Sequence, residues 1–295
     1  MDDKHYLDYL EAGYKDEKFI KTYEMIFRPY PEIHRINGLP VHFDPNAKNL
    51  LVSLSGGADS SILTYMLCDY IEKNNYNNKI YCMTLVRFWK EKPWLAPMAE
   101  DVYNYLKARF PDIIQEQIWG FLPPEFEDVP LTRLGKEHLF TKLPREANCD
   151  VLCTLDFQEY VMYRYNIDLI YTGITMNPPF ATDDEPTFRN EEFMKDNWDW
   201  AISGPAINPF GLLRKNYTMA QYHNYDQWDL LKLTRSCEGD IAEFGEEYRR
   251  NRQYPPECGH CFFCQEKKWG LDNCNGFFWR IYELTLLLHY RRSKF

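Results

Sequence analysis

Leu50-Leu51-Val52-Ser53-Leu54 runs into Ser55-Gly56-Gly57, and Ala58-Asp59-Ser60-Ser61 opens a segment with Ile62, Leu63, Met66, Leu67 and Tyr70 on one face. A short apolar run closed by glycines predicts a buried strand, and the spacing beyond it predicts a helix. Two glycines let the backbone turn tightly and approach an anion with no Cβ in the way. The helix beyond offers unpaired N–H groups and the positive end of its dipole. Hydroxyls at Ser55, Ser60 and Ser61 add donors around the same point, so the segment predicts a phosphate-binding loop. Asp59 cannot attract phosphate; its expected roles are capping the helix or helping to place Mg²⁺. A plain capped turn explains the glycines and one Ser or Asp, but not three hydroxyls. The Walker spacing and the dinucleotide Gly-x-Gly-x-x-Gly pattern are absent.

Outward from this loop, strand and helix patterns alternate. Lys79 to Val86 and Ile113 to Trp119 read as strands, and Ala96 to Phe110 as a helix between them. A helical stretch over 136–165 leads to Leu169-Ile170-Tyr171-Thr172-Gly173, a strand ending in glycine. Such alternation implies an α/β fold with a doubly wound, Rossmann-like parallel sheet. Three regions are expected: an N-terminal extension over 1–48, an α/β domain over 49–215, and a helical, cysteine-rich region over 216–295. In the extension, Phe19, Ile20, Tyr23, Ile26 and Phe27 fall at helical spacing, followed by a loop punctuated by Pro29, Pro31, Pro40 and Pro45. A helix over 214–233 and a packed apolar helix over 277–290 complete the pattern.

The chain has 295 residues, 45% hydrophobic and 17% aromatic, with 34 Lys+Arg against 44 Asp+Glu and a formal net charge of −10. That composition is ordinary for a globular protein, and its acidity disfavours a broad nucleic-acid footprint. The N-terminus is too polar for a signal peptide, and no apolar stretch approaches the roughly 18 residues of a membrane span. Nine cysteines, an odd number clustered toward the C-terminus, point to metal ligation in a reducing, cytoplasmic compartment.

Cys258, Cys261 and Cys264 form a Cys-x2-Cys-x2-Cys run, with Cys237 upstream. Three thiols at that spacing converge on one soft cation, and Cys237 completes a tetrahedral site. Cys274 is the rival fourth ligand and His260 a weaker one. A closed four-cysteine site favours Zn²⁺ over a [4Fe–4S] cluster. Cys68, Cys82, Cys149 and Cys153 read as core thiols.

The Ser-Gly-Gly-x-Asp-Ser loop resembles the PP-loop of the N-type ATP pyrophosphatases, which share an adenine-nucleotide α-hydrolase-like fold. The resemblance implies that ATP is split between its α and β phosphates. AMP is joined to a carbonyl or carboxyl oxygen, the loop residues Ser55, Gly56, Gly57, Ser60 and Ser61 hold the pyrophosphate with Asp59 beside them in the Mg-ATP site, and the backbone of Thr84, Leu85 and Val86 meets adenine. Paired with Ser236-Cys237-x-Gly239 and Cys258-Gly259-x-Cys261-x-x-Cys264, the loop resembles 7-cyano-7-deazaguanine synthase over about residues 49–275. That family converts 7-carboxy-7-deazaguanine, ammonia and ATP into the nitrile and binds one Zn²⁺ through four cysteines; a homodimer is implied.

Gly173, Pro186 and Arg189 fit the family's middle motif, whereas Pro178, Thr187 and Phe188 depart from it. The resemblance gives Arg189 the role of orienting the substrate carboxylate. Lys215, closing Asn208-Pro209-Phe210-Gly211-Leu212-Leu213-Arg214-Lys215, is implied to pair with phosphate or the acyl-adenylate. Three alternatives stay open: a different acceptor such as a protein carboxyl terminus, with a role in defence or DNA modification; an RNA-thiolating PP-loop enzyme; and a non-catalytic nucleotide sensor.

Overall fold

The computed structural model describes residues 33–87, 95–122, 157–158, 160–181, 189–191, 207–237 and 256–274. The expected helices over 19–27 and 277–290, most of that over 136–165, and Cys149, Cys153 and residues 186–188 lie outside the described residues.

The strand before the glycine loop is β3 (Asn49–Ser53), and the helix after it is α1 (Ala58–Lys73). Then come β4 (Lys79–Arg87), α2 (Leu95–Arg109), β5 (Ile114–Leu122) and β6 (Leu169–Tyr171). These four strands form one parallel sheet in the order β5-β4-β3-β6. The order runs outward from β3 to β5, then jumps back to place β6 on the other side of β3. That reversal is a topological switch point, where the carboxyl ends of adjacent strands part and leave a crevice.

The sheet packs against a core on each face, as a parallel sheet demands. Leu50, Val52, Ile80, Cys82, Leu169 and Tyr171 pack into one core with α1 and α2. Leu51, Met83 and Ile170 point the other way, against Phe157, Tyr160 and Val161 of the helical stretch that ends at residue 165. The sheet is therefore covered on both sides, which makes it doubly wound. In β5 a register shift sets Ile114 opposite Ile80 and Gln117 opposite Cys82. One extra residue reverses the facing of the rest of the strand, so Ile114 and Ile118 enter opposite cores despite their even spacing.

Two expectations differ from the structure. The proline-punctuated loop contains a hairpin, β1 (Ile33–Ile36) paired antiparallel with β2 (Leu39–His42). Asn37 and Gly38 both have positive φ (47° and 83°), as a tight two-residue hairpin turn requires, and Asn-Gly is its strongest sequence signal. Ile36, Leu39, Val41 and Phe43 enter the first core, and Tyr171 donates to the His42 carbonyl at 2.8 Å. The expected single helix over 214–233 is two: α3 (Lys215–Asn224) and α4 (Trp228–Leu233). Asp226 takes φ of 51° between them, a conformation short polar side chains tolerate, while the Gln227 amide donates back to Tyr222 O at 2.8 Å and closes α3. The last described helix is α5 (Phe262–Asp272). No helix among the described residues is long and apolar enough to cross a membrane.

Phe43 is fully buried, edge-on to His34 and Tyr70 and stacked on Tyr76. Phe43→Ala is expected to cost ~3–5 kcal/mol in urea unfolding. A loss below about 1 kcal/mol would show that the hairpin segment lies outside the cooperative core.

Candidate functional site: a cavity at the switch point

Beyond Ser53 the chain has to leave the sheet and enter α1. The Leu54 amide still donates to Met83 O at 2.7 Å, and its carbonyl accepts from the Thr84 hydroxyl at 2.7 Å. Gly56 then takes φ of +73°; a Cβ there would lie 2.7 Å from the Ala99 amide nitrogen. Gly57 is the N-cap of α1, with no side-chain cap. The first intrahelical bond is Ser61 N–H to Gly57 O, at 3.3 Å. The amides of Ala58, Asp59 and Ser60 are thus left as the unpaired donors of a 16-residue helix. Gly173, just past β6, comes so close to this turn that a Cβ would sit 2.8 Å from the Ser60 nitrogen and 2.9 Å from the Asp59 carbonyl carbon.

A cavity of about 380 Å³ opens on this point. Its floor includes Ser53, Ser55, Gly57, Asp59 and Ser60; Thr172, Gly173 and Ile174 form the β6 side; Lys215, Arg189 and Glu266 supply charge; Arg235, Ser236 and Cys237 close another wall. Ser55 and Ser60 bond one another through their hydroxyls at 3.3 Å. The nearly buried Gln158 also lines the cavity, donates to Ser53 Oγ at 2.8 Å, and keeps a carbonyl oxygen with no hydrogen-bond partner.

The predicted residues take unequal parts. Asp59 does not cap its helix: Lys215 Nζ bonds its Oδ2, and the Thr218 hydroxyl bonds its Oδ1 at 2.8 Å. Ser61 is fully buried and its hydroxyl donates to Gly57 O at 2.7 Å, a bond within the helix start, so it lines no part of the cavity. Gly56 shapes the turn and offers its carbonyl to the Arg235 amide at 3.0 Å. Of the three residues expected to face adenine, Thr84 and Val86 direct their backbone toward β5. Alternation along the parallel ladder sends the Leu85 N–H and C=O to the side of β3, which has already ended opposite Met83. Arg189 is 7% exposed and already engaged: its Nε donates to Thr175 O at 2.7 Å, Nη2 to Thr175 Oγ1 at 3.1 Å, and Nη2 also to Glu266 Oε1. It reaches the cavity as half of an ion pair, not as an idle cation.

Sequence reasoning missed Glu266. It lies on α5, is fully buried, pairs with Arg189 through one oxygen and stands 3.5 Å from Lys215 Nζ through the other. Its signal was a lone Glu on the apolar side of the cysteine helix, where an unpaired carboxylate would be prohibitive. Thr175, Arg189, Glu266, Lys215, Asp59 and Thr218 make one chain of alternating charge across the cavity.

The four cysteines of the expected ligand set come together in a group that could hold a metal ion. The Sγ atoms of Cys237, Cys258, Cys261 and Cys264 all lie within 4.8 Å of one another, with Cys258 and Cys264 at 3.9 Å. Zn–S bonds of about 2.3 Å in a tetrahedron need sulfurs about 3.8 Å apart, so the four thiols fit a single ion. Cys274 is not part of this group and donates to Leu271 O; the His260 ring faces the Cys258 carbonyl. Burial raises the Cys258 thiol, but the Cys261 and His260 amides outweigh it and bring it down to about 6, whereas burial pushes the neighbouring Cys264 thiol up. Cys68 and Cys82 are core thiols, and burial pushes Cys82 up to about 12.

No protein-family model and no curated protein matches the chain. Among solved structures it is similar to the U34-tRNA thiolase NcsA from Methanococcus maripaludis with its [4Fe-4S] cluster: 13% identity, 88% of this chain and 79% of that one, TM-score 0.38. It is also similar to NAD+ synthetase from Burkholderia pseudomallei: 10% identity, 94% of this chain and 96% of that one, TM-score 0.34.

Two outcomes are expected. Metal analysis should find one ion per chain, lost in Cys237→Ser and kept in Cys274→Ser; equal retention in both would remove Cys237 from the ligand set. Gly173→Ala should cost ~1–3 kcal/mol by crowding the start of α1, read by thermal or urea unfolding.

Proposed function

We propose that the chain is an ATP-dependent enzyme that adenylates a carboxylate and then amidates it, with 7-carboxy-7-deazaguanine and ammonia as the foremost substrates and 7-cyano-7-deazaguanine as the product. The observation that carries this is the uncapped N-terminus of α1 behind Ser55-Gly56-Gly57, opening at the switch point onto a cavity that holds Lys215. Backbone and hydroxyl donors beside a lysine suit the β and γ phosphates of Mg-ATP. The sequence resemblance to the PP-loop enzymes supports the same chemistry.

In this reading Ser55, Gly57 and Ser60 hold the phosphates, and the edge of Leu85 meets the base. The substrate carboxylate attacks the α-phosphorus in line, forming a C–O–P bond as pyrophosphate leaves. Lys215 has three N–H donors, of which one bonds Asp59 and Glu266 stands only at ion-pair distance, so donors remain for the charge that develops on the leaving group. Ammonia then displaces AMP to give the amide. A second adenylation on the amide oxygen, followed by loss of AMP, yields the nitrile. The chain's contribution is positioning and charge stabilisation rather than acid–base chemistry. Zn²⁺ held by Cys237, Cys258, Cys261 and Cys264 would be structural, because four thiolates leave no open position. The close sulfur spacing supports one ion over a [4Fe–4S] cluster, in which each thiolate meets a different iron.

One observation favours a second reading, the same chemistry on another carboxylate. Pro178 is buried where the synthase motif carries Asp, and Arg189 is committed to Glu266 and Thr175. A pocket with a changed polar set rejects the old base strongly, and a protein carboxyl terminus is then the leading alternative acceptor.

Mass spectrometry of protein incubated with Mg-ATP, ammonia and 7-carboxy-7-deazaguanine tests the first reading. AMP with the nitrile supports it; AMP only when other carboxylates are supplied supports the second. Lys215→Ala is expected to lower AMP formation by ~10²–10³-fold, and Asp59→Ala combined with Ser60→Ala to abolish it with metal content unchanged. Undiminished AMP formation in both would place the chemistry elsewhere.

A further inference from the structure

Two chain segments carry the four cysteines, and both are also walls of the cavity. Residues 234–237 have no regular structure, yet the Arg235 amide donates to Gly56 O at 3.0 Å, and Ser236 and Cys237 line the cavity. The second segment runs from Cys258 into α5, whose N-cap is Cys261 and whose first turn holds Cys264. Glu266 lies two positions further on, bonded to Arg189 and 3.5 Å from Lys215 Nζ. Gly270, one turn later, is pressed so closely on Lys215 that a Cβ would sit 2.7 Å from its Cγ and 3.1 Å from its carbonyl carbon and oxygen. The two segments meet through the sulfur cluster, where the Cys258 amide approaches Cys237 Sγ at 3.4 Å, and through Glu257, which accepts from the Ser236 amide and from Lys267 Nζ.

We infer that the four-cysteine centre is a clamp on the nucleotide cavity: closing it on a metal sets Glu266 against Lys215 and Arg189, and residues 235–237 against the Gly56 turn. Glu266 is a positioning residue, since it is fully buried and acts on a ligand only through the two cations it holds. A metal site draws its folding energy from ligands that converge only in the folded state. Here the segments it draws together bring Arg235 and Glu266 to the cavity, while the sheet and α1 pack in cores to which neither segment contributes. Metal occupancy therefore governs nucleotide binding more than it governs the fold. The inference rests on the reading of the cavity as an ATP site.

The test compares metal-loaded protein, chelator-stripped protein and the same sample reloaded with Zn²⁺. Calorimetric titration with Mg-ATP and backbone hydrogen exchange by mass spectrometry are read on each. Stripping is expected to lower Mg-ATP affinity at least tenfold. It should also raise exchange at the start of α1 and over Lys215–Thr218, while β3 and β4 stay protected, and Zn²⁺ should reverse both changes. Metal-loaded Glu266→Gln, with one ion per chain, is expected to lose Mg-ATP affinity to a similar degree.

Unchanged affinity and exchange after stripping would overturn the clamp, as would exchange rising equally throughout the sheet, which would make the centre a staple of the whole fold. Wild-type affinity in metal-loaded Glu266→Gln would overturn the route through Glu266. If metal-loaded wild type binds no Mg-ATP, the ATP reading of the cavity fails, and the exchange measurement alone decides the clamp.

Discussion

Lys215 is 4% exposed and held between two carboxylates that come from opposite ends of the described chain, Asp59 on α1 and Glu266 on α5. An ammonium in that position is tenable only with both partners in place, because the cost of stripping water from a charge exceeds what one imperfect pair returns. The requirement spreads outward. Glu266 must also answer Arg189, and Arg189 must in turn be fixed by Thr175 beside β6. Asp59 must accept from Thr218 one turn along α3. Two anions and two cations thus cancel within the wall of one cavity, and losing any one of them strands a buried charge at ~3–5 kcal/mol. The chain of charges is what fixes α1, α3, α5 and the exit of β6 around the same point.

This arrangement shapes what the cavity can accept. With Arg235 its lining holds three cations against two anions, and its donors are not evenly spread: the unpaired amides of α1 and Lys215 lie at the mouth of β3, while both Asp59 oxygens are occupied. An anion at the start of α1 meets ready donors, and the Asp59 carboxylate beside them is already engaged. Glycine is needed for this at two places, Gly56 because of its left-handed turn against α2 and Gly173 because β6 comes within contact of the helix start.

The sheet was legible because its signals are local: apolar runs of strand length, a glycine stop and helical spacing, repeated in order. Ser55, Gly57 and Ser60 were legible as cavity residues for the same reason, and so was the Cys237, Cys258, Cys261 and Cys264 set, whereas Lys215 came only from the family resemblance. What escaped was non-local. Whether Asp59 caps its own helix or holds a lysine on α3 depends on packing that no spacing records. Glu266 reads as an ordinary helix residue until Arg189 and Lys215 arrive from elsewhere in the chain. The hairpin was missed although Asn37-Gly38 announces it, because Pro40 reads against strand; in a two-stranded edge its missing N–H is tolerated. The break between α3 and α4 is carried by Asp226 alone in the left-handed region, a choice settled by the Gln227 amide closing back on Tyr222.

The proposed chemistry turns on whether the uncapped start of α1 receives the phosphates of ATP. A crystal structure with Mg²⁺ and an ATP analogue carrying a methylene bridge between the α and β phosphates tests it most directly. The β and γ phosphates are expected on the Ala58–Ser60 amides and the Ser55 and Ser60 hydroxyls, with Lys215 in contact and the base at the Leu85 edge. Triphosphate density elsewhere, with these amides still facing water, would contradict it.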